Sequence, residues 1–382
     1  MAKTRNRTQQ PGTSAEADRK KPGKAAAGVR SVTKKAKAKS EKAKNEKVKS
    51  GKAKAKAELI KAGAKAGQIK AKAAKGGAAG LETGKAAKAA EDRSAGLHAT
   101  VAGGALRDLL RVPEGERLDL SSYDARATPA GPAGKAEALA DMARMGERLA
   151  DLQERLYAAS TSGDRRRVLL VLQGMDTSGK GGTVKHVIGL FNPSGCRIKA
   201  FKAPTPEEQN HPFLWRIMKA LPERGEIGIF DRSHYEDVLI ARVRELVPRS
   251  QLGRRYGQIN RFEKSLTHDG VTVIKCFLHI SFDEQRERLL ERLDRPDKHW
   301  KFNPGDIEER ALWPAYQEAY EIALERCSTE AAPWYVIPAD RKWYRNWAIS
   351  RLLLEHLEAL DPQYPKADFD VAECRARLLK GS

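Results

Sequence analysis

Residues 168–173 read VLLVLQ, and further short strand-like runs follow at 197–201, 227–230, 271–280 and 334–338. Strands covered on both faces read as near-continuous apolar runs, so these five predict a parallel sheet with helices on either side. The intervals carry apolar positions at helical spacing: from 179, at 206–221, from 235 to about 268, at 283–293 and at 307–328, with a further helix at 343–360 after the last strand. Upstream, 135–159 predicts a long amphipathic helix, preceded by an irregular lead-in over 106–130. Regular alternation of strand and helix predicts an α/β fold, in which ligands sit at the carboxyl ends of the strands.

Charge changes this picture only at the amino terminus. The 382 residues carry a net charge of +21, but residues 1–95 hold 27 Lys and Arg against 8 Asp and Glu, leaving 44 basic against 42 acidic in the other 287. The tail is a Lys/Ala/Gly repetition without aromatics, which cannot bury enough apolar surface to offset chain entropy, and it is expected to be disordered when free. It lacks the apolar core of a signal peptide, and no run of about 18 apolar residues suggests a membrane span. Cys196, Cys276, Cys327 and Cys374 lie far apart without metal-ligand spacing, which points to reduced thiols and a cytoplasmic setting.

The stretch 168–183, VLLVLQGMDTSGKGGT, runs a strand into a glycine-rich turn ending in Gly-Lys. Gly174, Gly179 and Lys180 fit a phosphate-binding loop, in which backbone N–H groups at the following helix cradle phosphate oxygens and the lysine adds a charge; Gly182, Thr183 and Lys185 continue that helix. The residue after the lysine is Gly181, where Ser or Thr is usual. A metal must then be held otherwise, and Asp176 within the loop is the substitute, since Mg²⁺ takes carboxylate, phosphate and water oxygens.

The strand at 227–230 ends in Asp231 and Arg232. An acid at the tip of an apolar strand after a phosphate loop is a second Mg²⁺ ligand, although an aspartate there can also cap the next helix. Residues 284–306 carry Arg286, Arg288, Arg292 and Arg295 into a loop with Lys298, His299 and Lys301, a pattern expected of a mobile lid that closes cations over phosphates; interleaved glutamates allow a solvated helix face instead. The cluster Asp340, Arg341, Lys342, Trp343, Tyr344 and Arg345 follows the last strand, and Arg197, Lys199 and Lys202 flank the second. So many cations at one sheet edge of a near-neutral domain predict a groove for a polyanion.

The segments LQGMDTSGKGGT (172–183), FKAPT (201–205), FLWRIMKALPERGEIGIFDRSHYEDVL (213–239), LDRPDKHWKFNPGD (293–306) and APWYVIPADRKWYRNW (332–347) together resemble the family 2 polyphosphate kinases. These are P-loop enzymes, related in fold to thymidylate kinase, that move phosphate between inorganic polyphosphate and nucleotides. The resemblance spans about 106–365 and implies a P-loop kinase fold. It implies that Asp176 and Asp231 serve magnesium and phosphoryl transfer, that Lys180 and Arg232 hold phosphate, and that 286–301 form the lid. It also implies a subclass: Glu236 in DRSHYE resembles the branch that accepts AMP as well as ADP, where members restricted to nucleoside diphosphates have Asn.

The expectation is therefore four segments: a basic tail (1–97), a lead-in with the long helix (98–160), a P-loop kinase domain (161–365) and a C-terminal segment (366–382). The expected activity is transfer of the terminal phosphate of polyphosphate to AMP and onward to ADP with Mg²⁺, without a histidine nucleophile. A homo-oligomer, dimer or tetramer, is expected. An ATP-dependent nucleotide kinase of the same fold is the competing enzyme reading. The tail opens a third, a nucleic-acid-binding protein, since it would hold DNA, RNA or polyphosphate through counterion release.

Overall fold

A computed structural model describes residues 104–381. The tail expected at 1–97 lies outside the described residues. Five strands, β1 (Arg167–Gln173), β2 (Cys196–Ala200), β3 (Ile227–Asp231), β4 (Val271–His279) and β5 (Trp334–Pro338), form one parallel sheet in the order β2-β3-β1-β4-β5. β1 lies at the centre with every residue buried, and its side chains alternate between two apolar clusters. Val168, Leu170 and Leu172 face one side; Leu169 and Val171 face the other.

Six helices matter for the site: α1 (Lys135–Thr161), α2 (Lys180–His186), α3 (Arg249–His268), α4 (Phe282–Asp294), α5 (Trp313–Cys327) and α6 (Lys342–Leu360). α1 and α6 cover the first face of the sheet, through Leu149, Leu152 and Leu156 against Ile349, Leu352 and Leu353. α3 and α5 cover the second with Tyr256, Ile259, Tyr320 and Leu324. Among the described residues no helix is long and apolar enough to cross a membrane. All four cysteines are free, and burial raises the Cys196 thiol to about 11 and the Cys327 thiol to about 12.

Two helices expected as single units are broken. The span 206–221 becomes Pro206–Gln209, closed at its start by a Thr205–Glu208 capping box, and Trp215–Met218. Pro212 lies between them; it lacks an N–H and drives the preceding residue out of helical conformation. The span 307–328 divides into Gly305–Arg310 and α5, whose first turn carries Pro314. The region from 235 begins with a tight turn at His234–Asp237 and a short helix at Ile240–Val243 before α3 starts behind Pro248. The lead-in is irregular but firmly packed. Its short helix Leu106–Leu110 has the N–H groups of Leu106 and Arg107 capped by Glu355 at 3.0 and 2.9 Å, and Val112 N donates to Trp334 O at 2.8 Å.

Candidate active site

The loop after β1 returns sharply because Gly174 adopts φ +150° and its Cα lies close enough to β4 that a Cβ would sit 2.7 Å from Leu278 O. Thr177 takes φ 67° and Gly179 φ 112°, after which α2 begins at Lys180. Lys180 is buried inside the loop, and its Nζ donates to Gly174 O at 2.7 Å and Met175 O at 3.3 Å. Burial pulls its pKa down, with Asp176 opposing that shift, and Asp231 and Glu236 also act on it. The lysine, both aspartates and Glu236 thus share one electrostatic centre.

Two buried arginines brace the loop from behind. Arg288 on α4 donates from Nη1 to Thr177 O at 2.8 Å and Ser178 O at 3.2 Å, and from Nη2 to Ala339 O at 2.7 Å and Asp340 O at 2.9 Å. Its Nε pairs with Glu284 at 2.9 Å. Expected as a lid cation, Arg288 is instead a strut between the P-loop and the end of β5, with every N–H group that reaches the loop already bonded to protein. Arg345 on α6 donates to Ser178 O at 3.1 Å and to Asn346 Oδ1 at 2.8 Å. Its pKa falls to about 9, through burial and then the neighbouring Arg288. Arg345 was expected only as one cation of the cluster 340–345 at this sheet edge and was not singled out as a site residue.

Asp176 projects from the loop and accepts from Arg232 Nη2 at 3.0 Å. Burial opposes its charge, but Lys180 and Arg232 outweigh burial and hold the carboxyl below its ordinary range. Asp231 closes β3 in register with Leu172 of β1 and Ala200 of β2, and Arg232 follows it at φ 64°. A positive φ on a non-glycine residue is strained, and here it recurs at two adjacent loops of one site. Glu236 lies on the next turn. With the Gln173 amide oriented so that its oxygen accepts from Ser233, its nitrogen donates to Glu236 Oε1 at 3.1 Å. Burial raises the Glu236 carboxyl above its usual range despite Arg232 and Lys180.

Asp176, Arg232 and Glu236 open on a cavity of about 450 Å³ lined also by Arg292, Lys301 and Asp306. Arg292 donates to Lys301 O at 3.0 Å and meets Asp306 at 3.4 Å, and these three residues of the segment expected as a lid line the same cavity. Asp306 is a second site residue that the reading of the sequence missed; burial and then Asp176 raise its pKa. Other expected cations lie off the cavity. Lys298 and Lys342 both pair with Glu291, the latter at 3.2 Å, and Lys298 above all draws the Glu291 carboxyl down to about 2. Arg341 donates to Arg126 O at 3.0 Å, and Lys185 and Lys202 are exposed. Gly181 has open space where a side chain would stand, Gly182 faces Arg345, and Thr183 is buried with no partner for its Oγ1. Among the described residues no three His, Cys, Asp or Glu side chains cluster as a metal site. A Mg²⁺ ion on Asp176 and Asp231 would take the rest of its shell from phosphate and water, which suits that ion.

Comparison with known proteins fits this geometry. The family model for polyphosphate kinase 2 matches residues 133–365. An AMP/ADP-polyphosphate phosphotransferase of Meiothermus ruber is 50% identical over 258 residues, covering 68% of this chain and 95% of that protein. An ADP-polyphosphate phosphotransferase of Rhodopseudomonas palustris is 41% identical over 287 residues, covering 71% and 97%. The crystal structure of polyphosphate kinase 2 from Arthrobacter aurescens superimposes with a TM-score of 0.71 at 49% identity, covering 72% and 97%. The family model covers most of the described residues, and the relatives align over nearly their whole length: the chain belongs to the polyphosphate kinase 2 family.

Proposed function

We propose that this chain passes the terminal phosphoryl group of inorganic polyphosphate to AMP and onward to ADP, with Mg²⁺ held by Asp176 and Asp231. The observation that carries the reading is the cavity itself, which sets P-loop, Glu236 and lid cations around one space. An oxygen of the nucleotide phosphate attacks the terminal phosphorus of the chain in line. The bridging P–O bond breaks, and the shortened polyphosphate leaves with the electron pair. Little covalent work falls to the protein, so positioning and charge neutralisation by Lys180, Arg232, Arg292 and Lys301 supply the acceleration. Mg²⁺ would neutralise negative charge on the phosphate oxygens. Glu236, which lines the cavity beside Asp176 and Arg232, is read as the acceptor-side carboxylate.

A single panel tests this: purified protein given AMP, ADP, GMP or GDP with Mg²⁺ and either long polyphosphate or ATP as donor. Transfer to AMP and ADP from polyphosphate is expected. Transfer from ATP with none from polyphosphate would replace the proposal by the ATP-dependent kinase reading. With Gly181 in place of a hydroxyl ligand, Asp176→Asn should raise the Mg²⁺ concentration for half-maximal rate about tenfold, because half of the protein's charged ligand set is lost. Wild-type magnesium dependence would show that Asp176 is no ligand.

The net +19 of residues 1–95 supports a role as an accessory anchor for polyphosphate or nucleic acid. Deleting that segment should leave turnover on short polyphosphate unchanged and weaken use of long chains at low salt. The difference should vanish as ionic strength rises and the Debye length falls to about 8 Å. Identical long-chain kinetics at every salt concentration would remove the anchor. A cytoplasmic homo-oligomer, dimer or tetramer, completes the proposal. The exposed Val371, Leu378 and Leu379 of the helix Val371–Leu379 support self-association, and light scattering would measure it.

A further inference from the structure

A second group of charges is fully buried, outside the lining of the cavity. Lys275, in the middle of the strand VTVIKCFLH, and Glu263 on α3 are both fully buried. Lys275 Nζ donates to Glu263 Oε2 at 2.6 Å, to Tyr235 Oη at 2.9 Å and to Cys327 O at 2.6 Å, which engages all three of its hydrogens. Glu263 Oε1 accepts from the Tyr235 hydroxyl at 2.8 Å and pairs with His234 Nε2 at 3.1 Å. Burial opposes ionisation of Glu263, but Lys275 and His234 outweigh it and hold the carboxyl below its ordinary range. An ionised carboxylate only accepts, so His234 carries its hydrogen on Nε2.

Such a pair is a poor source of stability, because an apolar pair of similar volume does as well or better in a protein interior. What this pair does is grip. It joins α3, β4 and the end of α5 to His234 and Tyr235, two consecutive residues of the turn His234–Asp237. That turn also carries Glu236, while Ser233 before it is tied to Gln173 of β1. The far end is clamped as well, since Arg255 Nη1 donates to Asp237 O at 2.7 Å. Tyr235 is fully buried and the next residue, Glu236, lines the cavity. Any displacement of the tyrosine is therefore passed on to the carboxylate.

We propose that Glu263 and Lys275 are positioning residues for the acceptor nucleotide: through Tyr235 and His234 they fix the turn that presents Glu236 to the cavity. The proposal rests on the reading of Glu236 as the acceptor-side carboxylate, and the experiment separates the two. Kinetics with AMP and long polyphosphate are measured for Glu236→Gln, for the volume-matched double variant Glu263→Met/Lys275→Met, and for all three changes together. Glu236→Gln should raise KM for AMP about tenfold, and the double variant, melting within a few degrees of wild type, should do the same, since misplacement of a positioning group by a fraction of an ångström suffices. KM for polyphosphate should change by less than about twofold, and adding the double change to Glu236→Gln should bring no further loss, because both act through one carboxylate.

Wild-type AMP kinetics in Glu236→Gln would sink the acceptor reading and the proposal with it. Impaired Glu236→Gln beside a folded double variant with normal AMP kinetics would overturn the proposal alone. So would losses that multiply in the triple variant, which would show the pair acting elsewhere. If the double variant does not fold, Tyr235→Phe decides: it keeps the ring and removes the hydroxyl shared by Lys275 and Glu263. A raised KM for AMP supports the positioning role, and an unchanged one overturns it.

Discussion

Lys180→Ala should lower turnover at least a thousandfold, about 4 kcal/mol of lost transition-state stabilisation, while leaving the fold intact. The ammonium is the one lysine charge enclosed by the P-loop, and it stands among Asp176, Arg232, Asp231 and Glu236. Its two hydrogen bonds go to Gly174 O and Met175 O, so it also holds the loop around the position that a phosphate would occupy. Removal takes away a charge that matters more as the transferring group spreads its charge over three oxygens. Asp231→Asn should be comparably severe by a different route, keeping shape and losing charge at the tip of β3. Turnover with AMP and polyphosphate, read beside circular dichroism, checks both. Near-normal rates with an unchanged spectrum would end the P-loop mechanism for this protein.

β1, β3, β4 and β5 were legible because they are largely buried on both faces and read as short apolar runs, whereas the edge strand β2 is half-buried to exposed. The strand Trp334–Pro338 and the P-loop lysine were read where they stand. Helix breaks were harder: the apolar spacing of 206–221 continues through Pro212, and only the missing N–H interrupts it. The cations divide in the same way. Arg288 and Arg292 are four residues apart on α4, yet one braces backbone carbonyls and the other lines the cavity. Their sequence context is alike; what separates them is a partner more than a hundred residues away. Glu263 reads as one more charge on an amphipathic helix between Arg261 and Lys264. Lys275 did carry a signal, since a lysine inside an apolar central strand must be paired. Its partner could be found only by folding the chain.

Gly179→Ala should cost about a hundredfold in turnover and several degrees of melting temperature, the largest effect expected from adding a single methyl group here. Two causes combine. At φ 112° the backbone of Gly179 is in a region that L side chains avoid, worth about 1–3 kcal/mol of strain. In addition, the new Cβ would stand 1.6 Å from Arg345 Nη1 and 2.5 Å from its Cζ. A long side chain at a surface would swing aside. This one is 3% exposed and tied to Ser178 O and Asn346 Oδ1, so it has no open space to enter without leaving both. Either the loop opens or the arginine leaves, and in both cases the backbone that cradles phosphate shifts. Combining Gly179→Ala with Arg345→Ala separates the causes, since it removes the clash and leaves the strain; turnover should recover only in part. Gly182→Ala supplies the scale. Its Cβ would meet Arg345 Nη2 at 2.9 Å without a positive φ, and it should lose far less. If Gly179→Ala were as active as Gly182→Ala, the P-loop would not depend on Arg345 behind it, and the brace would be packing alone.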